Sequence, residues 1–139
     1  TTVTLSTYAV QYASATGTSW SVTPLTGSIA PGAYYLIQEG AGGGGTTNLP
    51  TLEATGTINL SASSGKVALT NTQTVLTVSN PVGSAAVVDF VGFGTANAYE
   101  GTGPAPTLSA TTSASRAGAG ATDTNNNAAD FTAGAVNPR

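Results

Sequence analysis

The chain has 139 residues, a formal net charge of −3 from three basic and six acidic side chains, and neither Cys nor His. This length suits one domain with a hydrophobic core, which we place over residues 1–139. Without Cys and His, the chain can form no disulfide, no zinc–thiolate site and no His-based catalytic centre. Three scattered basic residues do not make a nucleic-acid surface, and no apolar run is long enough for membrane insertion.

In the first half of the chain, apolar residues alternate with polar ones, and Gly, Pro, Asn and Ser clusters interrupt the alternation. This period of two is typical of an antiparallel all-β domain. A turn is predicted at Pro31-Gly32, because Pro presets φ and Gly permits positive φ. The strands predicted in this half contain Val3 and Leu5, then Tyr8 to Tyr12, then Trp20 and Val22, and finally Ala33–Gln38.

The second half continues the same pattern, and no window of sufficient length shows helical periodicity. Two stretches rich in Gly, Pro and Thr, Gly40–Pro50 and Gly101–Thr112, are predicted to be loops. Further strands are predicted at Gly56–Leu60, Lys66–Asn71, Val75–Val78 and Val87–Phe93, with a last short strand at or just after Ala129–Phe131.

The residues that bear on catalysis are the acids and Lys66. The six carboxylates show no spacing that implies a shared face, and Ser or Thr nucleophiles would lack a His base, so we expect no enzyme activity. By alternation Asp89 shares a face with Val87, Val91 and Phe93, and it needs a partner such as Arg116 or backbone amides. Lys66 is expected to be an ordinary exposed lysine, with an isopeptide bond to an Asn as the alternative.

The run Asp123–Phe131, "DTNNNAADF", is the densest group of oxygen ligands in the sequence. Asp123, Asn125 and Asn127 match positions one, three and five of a calcium-binding EF-hand loop, and Asp130 could complete a different kind of site. Ala128 stands where that loop needs Gly, and Gly134 where it needs Glu. The run is therefore interpreted first as a turn before the last strand. The second interpretation is a calcium site, and no other cofactor is expected.

Five ordered motifs give the chain a family resemblance. They are "LSTYAVQYASATGTSW", "LTGSIAPGAYYLIQEG", "SGKVALTNT", "VVDFVGFGTANAYEGTGPAP" and "DTNNNAADFTAGAVNPR". In order and spacing they resemble the lamin-tail domain, whose secreted bacterial and archaeal members accompany nucleases, phosphoesterases and surface proteins. The resemblance covers essentially the whole chain and implies an immunoglobulin-like antiparallel β-sandwich. Fold alone does not imply a role.

Three departures from the lamin-tail pattern stand out. Thr7-Tyr8 occupies the place of the family's usual Gly-Trp, and Ala98 and Ala121 lie near positions that are often Cys. Bacterial members also begin with two further segments, of the types "VISQVYGGGG" and "FIELYN", and this sequence starts after both. The resemblance thus implies an unpaired edge, completed either by residues outside the given sequence or by a strand from a neighbouring molecule.

Composition and resemblance together predict the setting and the partners. A low-charge surface rich in Thr, Ser, Ala, Gly and Asn favours a secreted or cell-surface protein. We expect a non-catalytic structural module that assembles with copies of itself into filaments by strand donation. The alternative is an accessory binding or targeting module of a larger secreted hydrolase or nuclease. Carbohydrate is a candidate ligand, through the exposed aromatics Trp20, Tyr34, Tyr35 and Tyr99.

Overall fold

The computed structural model describes residues 1–43 and 45–138, and it confirms an all-β chain. One four-residue helix interrupts ten strands in the described part of the chain. The elements are β1 Val3–Thr4, β2 Ala9–Ala13, β3 Ser21–Pro24, β4 Ser28–Ile29, β5 Ile37–Gln38, β6 Ala54–Thr55, β7 Gly65–Thr70, β8 Val87–Phe93, β9 Thr112–Arg116, α1 Asn127–Asp130 and β10 Phe131–Ala135.

A four-stranded antiparallel sheet in the order β3-β2-β7-β8 organises the fold. Three two-stranded sheets surround it: the antiparallel pairs β1-β4 and β9-β10, and the parallel pair β5-β6. This arrangement is consistent with a β-sandwich. Since isolated two-stranded sheets are marginal in water, the small sheets depend on packing and side-chain contacts with the rest of the chain.

The hydrophobic core lies on one face of the four-stranded sheet. Trp20 and Phe90 pack with their ring centroids 6.3 Å apart, among Ala13, Ala68 and Ala98. The turn that carries Ala98 comes so close to β8 that a Cβ on Gly92 would collide with the Ala98 carbonyl oxygen. Glycine at position 92 is therefore required by the packing of this turn over the sheet.

The strongest period-two patterns are confirmed. The Tyr8–Tyr12, Lys66–Asn71 and Val87–Phe93 predictions correspond to β2, β7 and β8. Pro31-Gly32 forms the predicted turn, with Gly32 at φ 73° and Ala33 N–H donating to the Ala30 carbonyl. The final strand, β10, begins at Phe131, as the sequence predicts.

Two predicted strands are shorter or displaced. Of Ala33–Gln38 only Ile37–Gln38 is strand, and it pairs with Ala54–Thr55. The predicted strand Gly56–Leu60 is wrong, because the strand in this region ends at Thr55. The first predicted loop, Gly40–Pro50, contains no strand or helix among its described residues; Gly44 lies outside them. The second, Gly101–Thr112, contains one isolated bridge, between Ala105 and Phe93, and is otherwise irregular up to the first residue of β9.

The predicted strand Val75–Val78 is wrong, and the reason lies in side chains of the sheet. Residues 72–81, here called the strap, run without strand pairing across the core face. The buried Gln11 amide donates to the Thr74 carbonyl and accepts from Leu76 N–H, each at 2.9 Å. These bonds replace the strand pairing that the sequence pattern favours.

Three elements were not predicted, and one of them is the two-residue strand β4. Strand β9, "TSASR", has no large apolar residue, and it forms because β10 supplies a partner in full register. Helix α1 is a single turn that begins after Asn126, so it is too short for periodicity to reveal.

A register shift between Leu69 and Thr70 alters the faces of β8. The alternation prediction placed Val87 with Asp89, but Val87 packs against the core cluster that contains Phe90. The bulge inserts one extra residue into β8, which turns Val87 to the opposite face. The prediction for Val87 is therefore wrong.

Candidate functional site

The run Asp123–Phe131 is a turn followed by α1, and Asp130 organises it from inside. The Asp130 carboxylate accepts hydrogen bonds from Thr124 Oγ1 at 2.6 Å, Thr124 N–H at 2.8 Å and Asn126 N–H at 3.3 Å. These bonds, first the Thr124 hydroxyl and then the Thr124 amide, lower the pKa of Asp130. The carboxylate thus closes its own turn.

Asn127 is fully buried and docks this turn on the edge of β8. Its Oδ1 accepts from Gly92 N–H at 2.9 Å, and its Nδ2 donates to the Phe90 carbonyl at 3.0 Å. Oδ1 also accepts from Glu100 N–H at 3.1 Å. The amide of one side chain therefore pairs with the sheet edge as a strand residue would. Its position in an Asn-rich stretch gives no sequence signal for this role.

Arg116 links β9 to the same region through two ion pairs. Its Nη2 lies 2.8 Å from both carboxylate oxygens of Asp89, and its Nη1 lies 3.2 Å from Asp123 Oδ2. The guanidinium also stacks over Phe131, 4.8 Å from the ring centroid. The predicted partnership between Asp89 and Arg116 is confirmed.

The four predicted calcium ligands therefore have different surroundings. Asp123 pairs with Arg116 and accepts from Asn125 N–H at 3.1 Å, while Asn125 sits in the turn at φ 53° with an exposed side chain. Asn127 and Asp130 are buried, and backbone N–H groups occupy their oxygens. The turn before the last strand is confirmed. Calcium at Asp123, Asn125, Asn127 and Asp130 stays a prediction.

A different group of acids converges near the turn. Asp89, Glu100 and Asp123 each offer a carboxylate oxygen, and these oxygens lie within 4.8 Å of one another. Burial, followed by the charges of Asp89 and Asp123, raises the pKa of Glu100. Arg116 contacts two of the three acids, so the cluster is already partly neutralised. Glu100 follows a turn in "NAYEG", where alternation gives no prediction of burial.

Lys66 corrects a sequence expectation, because it is fully buried rather than exposed. Its Nζ donates to the Gly17 carbonyl at 2.7 Å, the Ser79 carbonyl at 2.9 Å and Asn97 Oδ1 at 3.0 Å. Burial lowers the pKa of Lys66. The sequence signal for this burial is that Lys66 alternates with Ala68 and Thr70, which are both buried. The isopeptide alternative stays a prediction, with Asn97 as the Asn within reach.

The aromatic candidates for carbohydrate binding do not share one environment. The expectation that Trp20 is exposed is wrong: Trp20 is buried in the core and donates through Nε1 to the Val78 carbonyl at 2.9 Å. Tyr34 is 57% exposed, whereas Tyr35 and Tyr99 are half-buried. A groove of about 620 Å³ beside the glycine-rich loop contains none of the four aromatics in its described lining. It does contain Gln38, Glu39 and Leu49.

Comparison with known proteins finds no matching family model, curated protein or solved structure. Among residues 1–43 and 45–138, no helix has the length and apolar character needed to cross a membrane.

Proposed function

We propose that this chain is a non-catalytic structural module of the cell surface or extracellular space that associates with copies of itself by strand pairing. We propose that it belongs to the lamin-tail family and has that family's immunoglobulin-like sandwich fold. The observation that carries the self-association is the free edge of β10. Exposed strand edges offer unpaired backbone groups to other chains unless they are protected.

Two other sheet edges are protected. Strand β3 ends in Pro24, which lacks an N–H group at the outer edge. Strand β8 is covered by the Asn127 amide and by Ala105, whose N–H donates to the Gly92 carbonyl at 2.8 Å. By contrast, β10 reads Phe-Thr-Ala-Gly-Ala, with no charge and no Pro. Its outer edge has no neighbouring strand in the described part of the chain.

The backbone direction along β10 follows from two hydrogen bonds at its start. The Asp130 carbonyl accepts from Ala117 N–H, while Phe131 N–H donates to the Asn127 carbonyl, away from β9. Because backbone groups alternate sides along a strand, Thr132 faces β9 and Ala133 faces outward. The Ala133 N–H and C=O groups are thus positioned to pair with a strand of another copy.

The surface chemistry supports the same proposal. Nine charged side chains in 139 residues, with a net charge of −3, leave little repulsion between copies. Each residue of β10 after Phe131 is exposed, so the edge is accessible along its length.

The test is the mass of the protein in solution, measured by light scattering after size-exclusion chromatography over a range of concentrations, with electron microscopy of the concentrated sample. We expect concentration-dependent association, reduced at least tenfold by Ala133→Lys, which places a charge on the free edge. The control Thr18→Lys adds the same charge at an exposed loop position and should leave association unchanged.

A strictly monomeric protein at every concentration would overturn the proposal. The accessory module of a larger secreted hydrolase or nuclease would then be the better interpretation.

A further inference from the structure

Residues 123–135, here called the C-terminal segment, dock on the rest of the chain as a unit. The segment comprises the Asp123–Asn126 turn, α1 and β10. Its backbone reaches the neighbouring turn through Asn127 N–H to the Glu100 carbonyl at 2.9 Å and Ala128 N–H to the Gly103 carbonyl at 3.1 Å. β10 lies in five-residue register with β9. The segment therefore brings its own anchors, Asn127 and β10, to acceptor sites on β8 and β9.

The connection before the segment is strained. Residues 117–122, here called the hinge turn, include Gly118, Ala119 and Gly120, all at positive φ. Ala119 has φ 53°, a conformation that costs free energy for a residue with a Cβ atom. An extended hinge would release this strain.

From these features we infer that two copies exchange their C-terminal segments, each docking on β8 and β9 of the other. This inference rests on the self-association proposed above and specifies its route. The acceptor site is complementary to the segment, because the contacts that the segment makes within one chain can form again between two chains. Exchange of an identical element is a low-cost way to form a dimer, and a strained hinge favours it.

The occupant of the acceptor site is a second copy for a chemical reason. Arg116 on β9 reaches Asp89 on β8 and Asp123 on the segment, so the site presents a cation at the point where the arriving segment carries a carboxylate. The Phe90 carbonyl and Gly92 N–H present an acceptor and a donor that one side-chain amide satisfies together. After exchange, the outer edge of β10 is still free, so exchange and edge pairing are compatible.

The absence of native Cys permits a direct test with the double variant A114C/A133C. These two positions are Cα partners across β9 and β10. Since Thr132 faces β9, they form a non-hydrogen-bonded pair, whose Cα atoms lie about 4.5 Å apart in antiparallel sheets, within disulfide range. Isolated dimers and monomers are oxidised separately and run on a non-reducing denaturing gel.

If the segments are exchanged, the dimer fraction gives disulfide-linked dimers and the monomer fraction gives internally linked monomers. Internally linked monomers should then fail to dimerise through exchange. The single variants A114C and A133C show how much linkage arises from random collision. Dimers that yield only internally linked chains would overturn the exchange while leaving self-association through the β10 edge intact. A protein that never associates would overturn both.

The hinge is tested with Ala119→Gly, which relieves the positive-φ strain in the closed monomer. Because the dimer forms from two closed monomers, the factor of roughly five to thirty for one hinge applies twice, and we expect the dimerisation constant to fall by roughly 25- to 900-fold. The matched control is Ala121→Gly in the same hinge turn. Ala121 itself is not at positive φ, so this substitution increases only the flexibility of the chain. Equal effects of the two substitutions would contradict the role of hinge strain.

Discussion

The strap and the C-terminal segment are both held against the main sheet by hydrogen bonds from side chains, and not by strand pairing alone. The strap is held by residues of the sheet and its margin: Gln11, Trp20 and Lys66 reach out to its backbone. The C-terminal segment is held by its own Asn127, which reaches in to β8. An element that carries its own anchor can leave and dock elsewhere, whereas the strap has its anchors in the core.

The largest expected effect comes from removing the charge of Lys66, the buried cation of β7 that binds the strap. Lys66→Met keeps the length of the side chain but leaves three carbonyl oxygens, those of Gly17, Ser79 and the Asn97 amide, without their donor. We expect the free energy of unfolding to fall by about 3 kcal/mol. Urea denaturation measures this loss, and hydrogen exchange should show the strap opening first.

The contrast between the two regions would fail if Lys66→Met loosened residues 123–135 as much as residues 72–81. Exchange protection of the two stretches can be compared in one experiment.

A smaller effect is expected at the anchor of the C-terminal segment. Asn127→Ala leaves Gly92 N–H and the Phe90 carbonyl unpaired at a buried edge, at a cost of about 2 kcal/mol. Asn125→Gly is the matched control in the same run, because Asn125 is exposed and already at φ 53°, which Gly adopts without strain. Equal urea midpoints for the two variants would show that the Asn127 amide does not anchor the segment.

The smallest effects concern pH, and two acids near the segment should act in opposite directions. The pKa of Glu100 is raised by burial and by Asp89 and Asp123, so its contribution to stability is present at low pH and lost as pH rises through the folded-state pKa. Glu100→Gln should therefore stabilise the protein at neutral pH by a few tenths of a kcal/mol, with the gain disappearing below the ordinary pKa of 4.5.

Asp130 should behave in the reverse way. Hydrogen bonds from Thr124 lower its pKa, so its contribution is present above the ordinary value of 3.8 and lost as pH falls through the folded-state pKa. Asp130→Asn should destabilise the protein at neutral pH, and the difference from the native chain should shrink in acid. Thermal unfolding across pH checks both acids, and parallel curves for all three proteins would contradict both assignments.

The sequence by itself determined the all-β class, the strands of the central sheet and the final turn. Strands β2, β7 and β8 bury one face, and an alternating pattern is what such a strand imposes on its residues. Alternation also indicated that Asp89 needs a partner, since it is a charge placed among apolar neighbours, and the structure supplies Arg116.

Only the tertiary structure decided how the remaining backbone is satisfied. The strap is not a strand because the Gln11 amide takes its hydrogen bonds from across the core. Strand β9 exists because β10 lies beside it, and Asn127 covers β8 although nothing in "NNN" distinguishes it from its neighbours. These contacts join residues that are far apart in the chain. Local periodicity indicates which side chains of a strand are buried, but it does not indicate which distant residues they contact.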